Sequence, residues 1–188
     1  MPPKEIDLRP VTHITTDAIG PLGNRVFYVQ GYKAQRTVTL IAEKFQIQTL
    51  AIGLEQFLAE IQTKFPDLPD ASGDYIEDNM RINPPVDPLF RVGELALGYD
   101  AESDLVVLVM RENAVEEVDE EEAVVEVEVD EDVPEGGVVR FWCTRSQMRA
   151  MAHWGIEVAS RGRPICPQCG EPEDPEGHFC PKRNGHKH

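Results

Sequence analysis

Hydrophobic residues near the start of the chain follow the alternating period that is typical of strands. Alternation in VTHIT, at 11–15, predicts a first strand. The turn sequence GPLGN, at 20–24, precedes two further β-rich runs at 25–30 and 37–42, and these runs lie on either side of a connection that contains Gly31. This arrangement predicts a β-hairpin.

A change to helical spacing follows the predicted hairpin. The apolar residues at this spacing are Ile47, Leu50, Ala51, Leu54, Phe57, Leu58 and Ile61. They form one stripe, so we expect a helix that lies on the sheet. The next stretch, 65–88, is rich in Pro, Asp and Asn and is longer than most loops. It predicts an irregular connection that covers one face of the sheet or acts as a lid.

The second half of the chain contains similar patterns. Residues 89–100 and 104–113 predict two strands, and the run Leu105–Met110 is apolar throughout, as in a strand that is buried on both faces. Strict alternation of apolar residues with glutamate at 123–129 predicts a half-exposed edge strand. Residues 138–143 predict a further strand.

A second helix is predicted to open at Thr144. Thr144 and Gln147 have the spacing of a capping box, in which each side chain bonds the backbone amide of the other residue. The apolar stripe of this helix contains Met148, Met151, Ala152, Gly155, Ile156 and Ala159. We interpret its methionines as core residues.

The two predicted helices begin alike, as EKFQ and TRSQ, and each follows predicted strands. This similarity is consistent with a strand–strand–helix unit that occurs twice. We therefore expect an α+β fold over 1–164, in which two helices pack on an antiparallel sheet. We expect residues 165–188, here called the tail, to be a zinc-binding, knuckle-like segment that docks on this domain.

The negative charge of the chain is concentrated in one segment. The formal net charge is −16, and residues 112–135 contain thirteen acidic residues and no Lys or Arg. Like charges repel phosphate, so this acidic segment is not a nucleic-acid surface. We expect it to be a solvated insertion, with residues 112–122 mobile and dispensable for folding, and its alternative role is a docking site for a basic partner.

The sequence predicts a cytoplasmic protein. No apolar run approaches the ~20 residues of a membrane span. The beginning, MPPKEIDLRP, lacks the apolar region of a signal peptide. Thiols stay reduced in the cytoplasm, so clustered cysteines there indicate a metal or redox site and not a disulfide framework.

Candidate metal ligands cluster in the tail. Cys166 and Cys169 form a C-x2-C pair, with His178 and Cys180 further along. Four thiolate and imidazole ligands are the set that a tetrahedral structural zinc site uses. His186 or Cys143 are alternatives to His178. A redox CxxC is also an alternative, although such motifs normally open a helix, and the prolines and glycines here disfavour one.

Motifs that carry catalysis are absent from the sequence: it contains no HExxH, no P-loop, no GxSxG and no kinase loop. We assign no catalytic residue, and we interpret the isolated His13 and His153 as structural. Arg25, Tyr28 and Gln30 lie on an early predicted strand beside the GPLGN turn and are candidates for lining a pocket.

The chain resembles an uncharacterised, mainly actinobacterial family catalogued as domain of unknown function 3090. The resemblance is carried by GPLGNRVFYVQ, EKFQ, FRVGELALGYD and GRPICPQCGEPEDPEGHFCPKRNGH. It supports Cys166, Cys169, His178 and Cys180 as a unit. It also implies two encoded neighbours, one similar to phosphatidylinositol kinases and one similar to phosphomutases, and hence a shared pathway in phosphate metabolism or signalling.

Three functions follow from these observations. The first is a non-enzymatic binding or adaptor protein with a structural zinc site and a protein partner. The second is an enzyme with an active site near the GPLGN turn and the 65–88 loop. The third is a nucleic-acid binder that acts through the tail, which the nearly balanced charge from Ser160 onward disfavours.

Overall fold

The computed structural model of the protein describes residues 5–113, 136–174, 178–180 and 182. Most of the acidic segment, the edge strand predicted at 123–129 and the alternative ligand His186 lie outside these residues.

The described residues form seven strands, two α-helices and one short 3-10 helix. In chain order these are β1 (Glu5–Leu8), β2 (His13–Ile19), β3 (Val26–Lys33), β4 (Arg36–Ala42), α1 (Lys44–Lys64), the 3-10 helix (Glu77–Met80), β5 (Pro88–Asp100), β6 (Leu105–Glu112), β7 (Val138–Cys143) and α2 (Arg145–Ser160). The predicted strands and helices within the described residues are therefore confirmed, except that the strand predicted at 11–15 begins at His13 and is preceded by a separate strand, β1. Neither helix is long and apolar enough to cross a membrane.

All seven strands belong to one sheet, in the order β1-β7-β6-β5-β4-β3-β2. The sheet is mixed, so the prediction of an antiparallel sheet was wrong: β4 pairs with β5 in parallel, and β1 pairs with β7 in parallel. The reason for the first parallel pair is the path of the chain. The connection between β4 and β5 contains α1, and a crossover of this length returns the chain in its original direction.

The stretch between β1 and β2 joins the two ends of this sheet. The amide of Val11 donates to the carbonyl of Trp142 on β7, and the amide of Thr12 donates to the carbonyl of Tyr32 on β3, both over 2.8 Å. The sheet is therefore strongly curled.

Close packing across the curled sheet requires glycine at position 31. A Cβ atom on Gly31 would lie 2.6 Å from the ring of Phe141. Gly31 lies within β3, and the turn that follows contains Ala34 at a φ of 53°. The expectation that Gly31 belongs to the connection was therefore wrong.

Each helix follows a meander of three antiparallel strands, β2–β3–β4 before α1 and β5–β6–β7 before α2. Gln46 accepts from the amide of Glu43 and donates to the carbonyl of Val92 on β5. Gln147 accepts from the amide of Thr144 and donates to the carbonyl of Thr12, before β2. Each helix start is thus fixed to the other half of the sheet.

The two helices pack against each other and against the sheet. A Cβ atom on Gly155 would lie 3.0 Å from Ile47 on α1 and 3.1 Å from Thr16 on β2, so α2 approaches both closely. The predicted stripe of α2 is largely buried, but Ile156 is 43% exposed and Trp154 is fully buried in its place. Trp154 is covered by residues 65–88, which a helical period cannot indicate.

Residues 65–88, here called the strap, cover α2 and β2. Arg145 and Arg149 of α2 donate to the carbonyls of Pro69 and Ala71. Tyr75 packs edge-on against Trp154 at 5.6 Å between ring centroids. The strap is therefore a fixed cover, as one of the two sequence interpretations has it.

Buried polar side chains of β2 and β3 hold the end of the strap. Thr15 donates to the carbonyl of Met80 over 2.6 Å, and Gln30 exchanges two hydrogen bonds with the backbone of Asn83. Gln30, which the sequence indicated as a pocket residue, is 1% exposed and binds the backbone of the strap instead.

Candidate metal centre and adjoining basic cleft

The tail begins shortly after α2 and folds into a small knuckle. Ile165 forms a β-bridge with Pro172, and the amide of Cys166 donates to the carbonyl of Glu171 over 2.8 Å. The amide of Gly170 donates to the carbonyl of Cys166 over 2.9 Å. Gly170 has a φ of 80°, a left-handed conformation that suits glycine.

Four side chains converge in this knuckle: Cys166, Cys169, His178 and Cys180. Their ligand atoms all lie within 4.8 Å of one another. The Sγ atoms of Cys166 and Cys180 are 3.8 Å apart, and the Sγ of Cys169 lies 3.0 Å from Nε2 of His178. The four residues that the sequence grouped are thus close enough to hold a metal ion.

The geometry of the cluster fits zinc. Zn–S bonds of about 2.3 Å at a tetrahedral angle place two sulfur atoms roughly 3.8 Å apart, which agrees with Cys166 and Cys180. The thiol–imidazole distance is shorter than the roughly 3.5 Å that the same geometry gives, so this pair must separate slightly on binding. Bound zinc would link the C-x2-C pair to His178 and Cys180.

Backbone amides stabilise a thiolate at the first ligand. Hydrogen bonds from the amides of Cys169 and Gln168 lower the pKa of Cys166 to about 7. Zinc binds the thiolate and not the thiol, so this arrangement prepares Cys166 for a metal.

Cys143, one of the alternative ligands, does not lie in the cluster. It ends β7, is fully buried in the core, and burial raises the pKa of its thiol. An inaccessible, protonated thiol is a poor metal ligand. The fourth residue of the cluster is His178 and not Cys143.

The residues that lead from α2 into the tail contact the GPLGN turn. The amide of Asn24 closes this turn on the carbonyl of Pro21. A Cβ atom on Gly23 would lie 3.0 Å from Nε of Arg163, which in turn forms an ion pair with Asp174. The absence of a side chain at Gly23 therefore allows the turn to contact Arg163, which in turn holds Asp174 of the tail.

Arg25 links the same turn to α2. Its guanidinium donates to the carbonyl of Val158 over 3.1 Å. This carbonyl belongs to the last turn of α2, where helix carbonyls lack intrahelical partners and carry partial negative charge. Arg25 thereby fixes the helix end from which the tail departs.

Domain and tail together enclose a cleft of about 340 Å³. Its lining is formed by Gly23, Arg25, Val26, Phe27, Ala42, Glu43, Lys44, Arg91, Gly162, Arg163, Ile165 and Pro172. Four of these residues are cationic and one is acidic, so we call this space the basic cleft. The sequence drew attention to Arg25 but missed Lys44, Arg91 and Arg163, because no local pattern indicates that they converge.

A second cavity of about 360 Å³ lies between the strap and α2. His13 lines it, and burial lowers the pKa of this imidazole. Nε2 of His13 is itself buried, with no hydrogen-bond partner in the part of the chain that the structure describes. A nitrogen that solvent does not reach supports a structural role for His13.

His153 also has a structural environment. Its Nε2 lies 3.1 Å from a carboxylate oxygen of Glu55. The two carboxylate oxygens of Glu55 together accept three hydrogen bonds from Arg149. Arg149 and then His153 lower the pKa of Glu55. These side chains link α1 to α2.

Comparison with known proteins identifies a family and no function. Residues 6–180 match the profile of a family described as "Protein of unknown function (DUF3090)". The matched range includes the strap, both helices and all four residues of the metal cluster. No curated protein and no solved structure matches the chain.

Proposed function

We propose that this chain, which belongs to the DUF3090 family, is a binding protein in which a structural zinc ion holds the tail against the α+β domain. The ligands are Cys166, Cys169, His178 and Cys180. The zinc gives a short, polar segment a fixed shape, and this segment then completes the basic cleft.

The position of the tail in the basic cleft carries this proposal. Ile165 and Pro172 of the tail line the cleft together with Arg25 and Lys44 of the domain. A segment of this size buries too few apolar residues to fold alone, and small segments are commonly stabilised by a metal. Removing the metal would therefore remove one wall of the cleft.

A structural role suits the ligand set. Three thiolates and one imidazole fill all four positions of a tetrahedral zinc ion, whereas catalytic zinc keeps one position for water or substrate. The lining of the basic cleft, within the described residues, also contains no serine, histidine or cysteine. Its single carboxylate, on Glu43, forms an ion pair with Arg91. These observations favour binding over an active site beside the GPLGN turn.

Nucleic-acid binding through the tail is less well supported. Arg161 pairs with Glu77 and Glu157, and Arg163 pairs with Asp174. These two cations are neutralised within the chain, so the described part of this surface lacks the row of free cations that phosphate backbones attract.

A protein partner remains part of the proposal. The family resemblance makes the phosphatidylinositol-kinase-like and phosphomutase-like neighbours the first candidates. Co-purification from native cells, followed by mass spectrometry, tests this. Recovery of neither protein would leave the adaptor role without support.

Elemental analysis tests the zinc directly. We expect one zinc ion per chain in protein purified without a tag, a loss of zinc in Cys169→Ser, and full zinc in the control Cys143→Ala. A zinc content near zero in the unaltered chain would contradict the proposal.

Hydrogen exchange then tests whether the metal holds the tail to the domain. In Cys169→Ser we expect faster exchange in the tail and also at 158–164, because Arg163 and the end of α2 share contacts with the GPLGN turn. Faster exchange confined to residues beyond 165 would indicate an independent appendage.

A further inference from the structure

We propose that the basic cleft binds the phosphate group of a small organic phosphate, with the organic part of the ligand against the apolar wall. This inference rests on the proposed function, because the zinc-bound tail supplies one wall of the cleft.

Two cationic side chains, of Lys44 and Arg25, approach each other at Gly162. A Cβ atom at this position would lie 3.4 Å from Nζ of Lys44 and 3.5 Å from a terminal nitrogen of Arg25. These two nitrogen atoms are therefore no more than about 7 Å apart, a separation at which like charges repel. Arg163 follows Gly162 directly and lines the same space. Such a cluster is stabilised when an anion enters it.

The cations are incompletely neutralised by the protein. Arg91 pairs with Glu43, and Arg163 pairs with Asp174. Arg25 uses one nitrogen for the carbonyl of Val158 and keeps its other donors. Among the described residues, Lys44 has neither a hydrogen bond nor an ion pair. The cleft thus retains positive charge and unused donors.

The donor types indicate phosphate. Guanidinium groups match the oxygen spacing of phosphate and bind it through paired hydrogen bonds, while a lysine ammonium adds a compact charge. The cleft also lies at the start of α1, next to Ala42 and Lys44. Glu43 caps this helix start, so the free donors for a phosphate come from the side chains and not from the helix amides.

The size and the apolar wall indicate a small organic ligand. A volume of about 340 Å³ lies at the lower end of the range for small-molecule pockets. Val26, Ile165 and Pro172 line the cleft beside the cations, and Ile165 is 59% exposed. An organic group placed against these side chains would cover apolar surface that water now contacts.

Phenyl phosphate is a suitable probe, because it joins a phosphate group to an apolar ring. The experiment titrates it into the zinc-loaded full chain, up to about 10 mM, and follows backbone amides by NMR. We expect chemical-shift changes at 23–27, 43–45 and 162–165. No change at these amides would overturn the inference.

Two lysines of the same helix provide a matched pair of variants. Lys44→Gln removes the unpaired charge in the cleft and should weaken phenyl phosphate binding about tenfold. Lys64→Gln removes the same charge at the other end of α1, roughly 30 Å away, and should change binding less than twofold. Equal weakening in both variants would show only long-range attraction and would overturn the proposed site.

Two further ligands define the chemistry. Benzoate carries the same ring with a carboxylate, and we expect it to bind more weakly than phenyl phosphate. Vesicles that contain phosphatidic acid present phosphate on a lipid surface. Equal binding of benzoate, or binding to these vesicles without binding of phenyl phosphate, would contradict a small organic phosphate as the ligand.

Zinc content, measured in every sample, separates this inference from the proposed function. Lys44→Gln should keep one zinc ion per chain while it loses affinity. A zinc-loaded chain that does not bind phenyl phosphate would contradict the phosphate site but not the structural zinc. A chain that binds phenyl phosphate without zinc would contradict the structural role of the metal.

Discussion

The strap and the tail are both irregular segments that lie on the domain, but they are held in different ways. Side chains of the domain bind the backbone of the strap at many points, from Arg145 at Pro69 to Gln30 at Asn83. In the described part of the tail, Asp174 pairs with Arg163 of the domain, and the fold of the segment centres on four potential metal ligands. The strap is therefore held by donors from the core, whereas the described tail gathers potential metal ligands within itself.

This difference decides how visible each segment is in the sequence. Structural zinc sites use mainly cysteine and histidine, often at close spacing, so the candidate metal site of the tail is recognisable in the sequence. The donors that hold the strap are arginine, glutamine and threonine, which are also common elsewhere in proteins. The strap was accordingly recognised only as an irregular loop.

Trp154→Ala should produce the largest effect and should act on the strap. The fully buried indole packs against Tyr75, with the guanidinium groups of Arg81 and Arg161 about 5 Å from its ring. Its removal leaves a cavity, so we expect a loss of about 3–5 kcal/mol in the free energy of unfolding.

Chemical denaturation checks this value, and Trp142→Ala is the control. Trp142 is only half-buried on β7, so its truncation should cost less. Zinc content should stay unchanged in both variants. Loss of zinc from Trp154→Ala in the folded state would show that the strap and the tail are not held independently.

Replacing the arginines that bind the strap should have smaller, graded effects. Arg145 is 7% exposed and bonds both Asp104 and the carbonyl of Pro69, so Arg145→Met should destabilise the fold by about 1–3 kcal/mol. Arg149 makes a similar pair with Glu55 but is 35% exposed, so Arg149→Met should cost no more than about 1 kcal/mol. Thermal unfolding of both variants tests whether Arg145→Met destabilises the fold more than Arg149→Met. The opposite result would mean that the burial of an arginine does not determine its contribution to stability.

A low pH should weaken the attachment of the strap near Pro69, because Asp104 becomes protonated. Hydrogen bonds from Arg145 lower the pKa of Asp104 in the folded chain. A carboxyl with a lowered pKa stabilises the fold above its unfolded pKa, and this contribution disappears as the pH falls through the folded pKa. We therefore expect strap amides near Pro69 to lose protection below about pH 4.

Asp104→Asn should flatten this dependence on pH. The control is Asp87→Asn, an exposed strap residue that has no hydrogen bond or ion pair among the described residues. Hydrogen exchange at several pH values compares the two variants. The same acid response in Asp104→Asn as in the unaltered chain would exclude this ion pair as the cause.

Replacing residues 114–135 by a short Gly/Ser linker should have the smallest effect. The strands on either side are adjacent, since the amide of Glu112 donates to the carbonyl of Gly137 over 2.8 Å. A short connection is therefore enough to join them. We expect little change in melting temperature at moderate salt, and a drop of more than ~8 °C would show that the segment contributes to folding.

Local patterns were sufficient for most elements of the fold. The apolar stripe of α1, the capping box at Thr144 and the buried run at β6 were all predicted, because each depends on neighbours within a few residues. The repeated glutamine also indicated a repeated role, which Gln46 and Gln147 have at the two helix starts. The four clustered ligands were found in the same way, from spacing alone.

Tertiary structure decided the parallel strand pairs, the burial of Trp154 and the basic cleft. Strand direction depends on the path of α1 between β4 and β5, and the cover over Trp154 comes from a loop about eighty residues earlier in the chain. Arg25, Lys44 and Arg163 are far apart in sequence, and they meet only because the curled sheet, the helix ends and the tail adjoin. Periodicity reports which face of an element is buried, whereas charge convergence depends on where distant elements end, so only the folded chain reveals it.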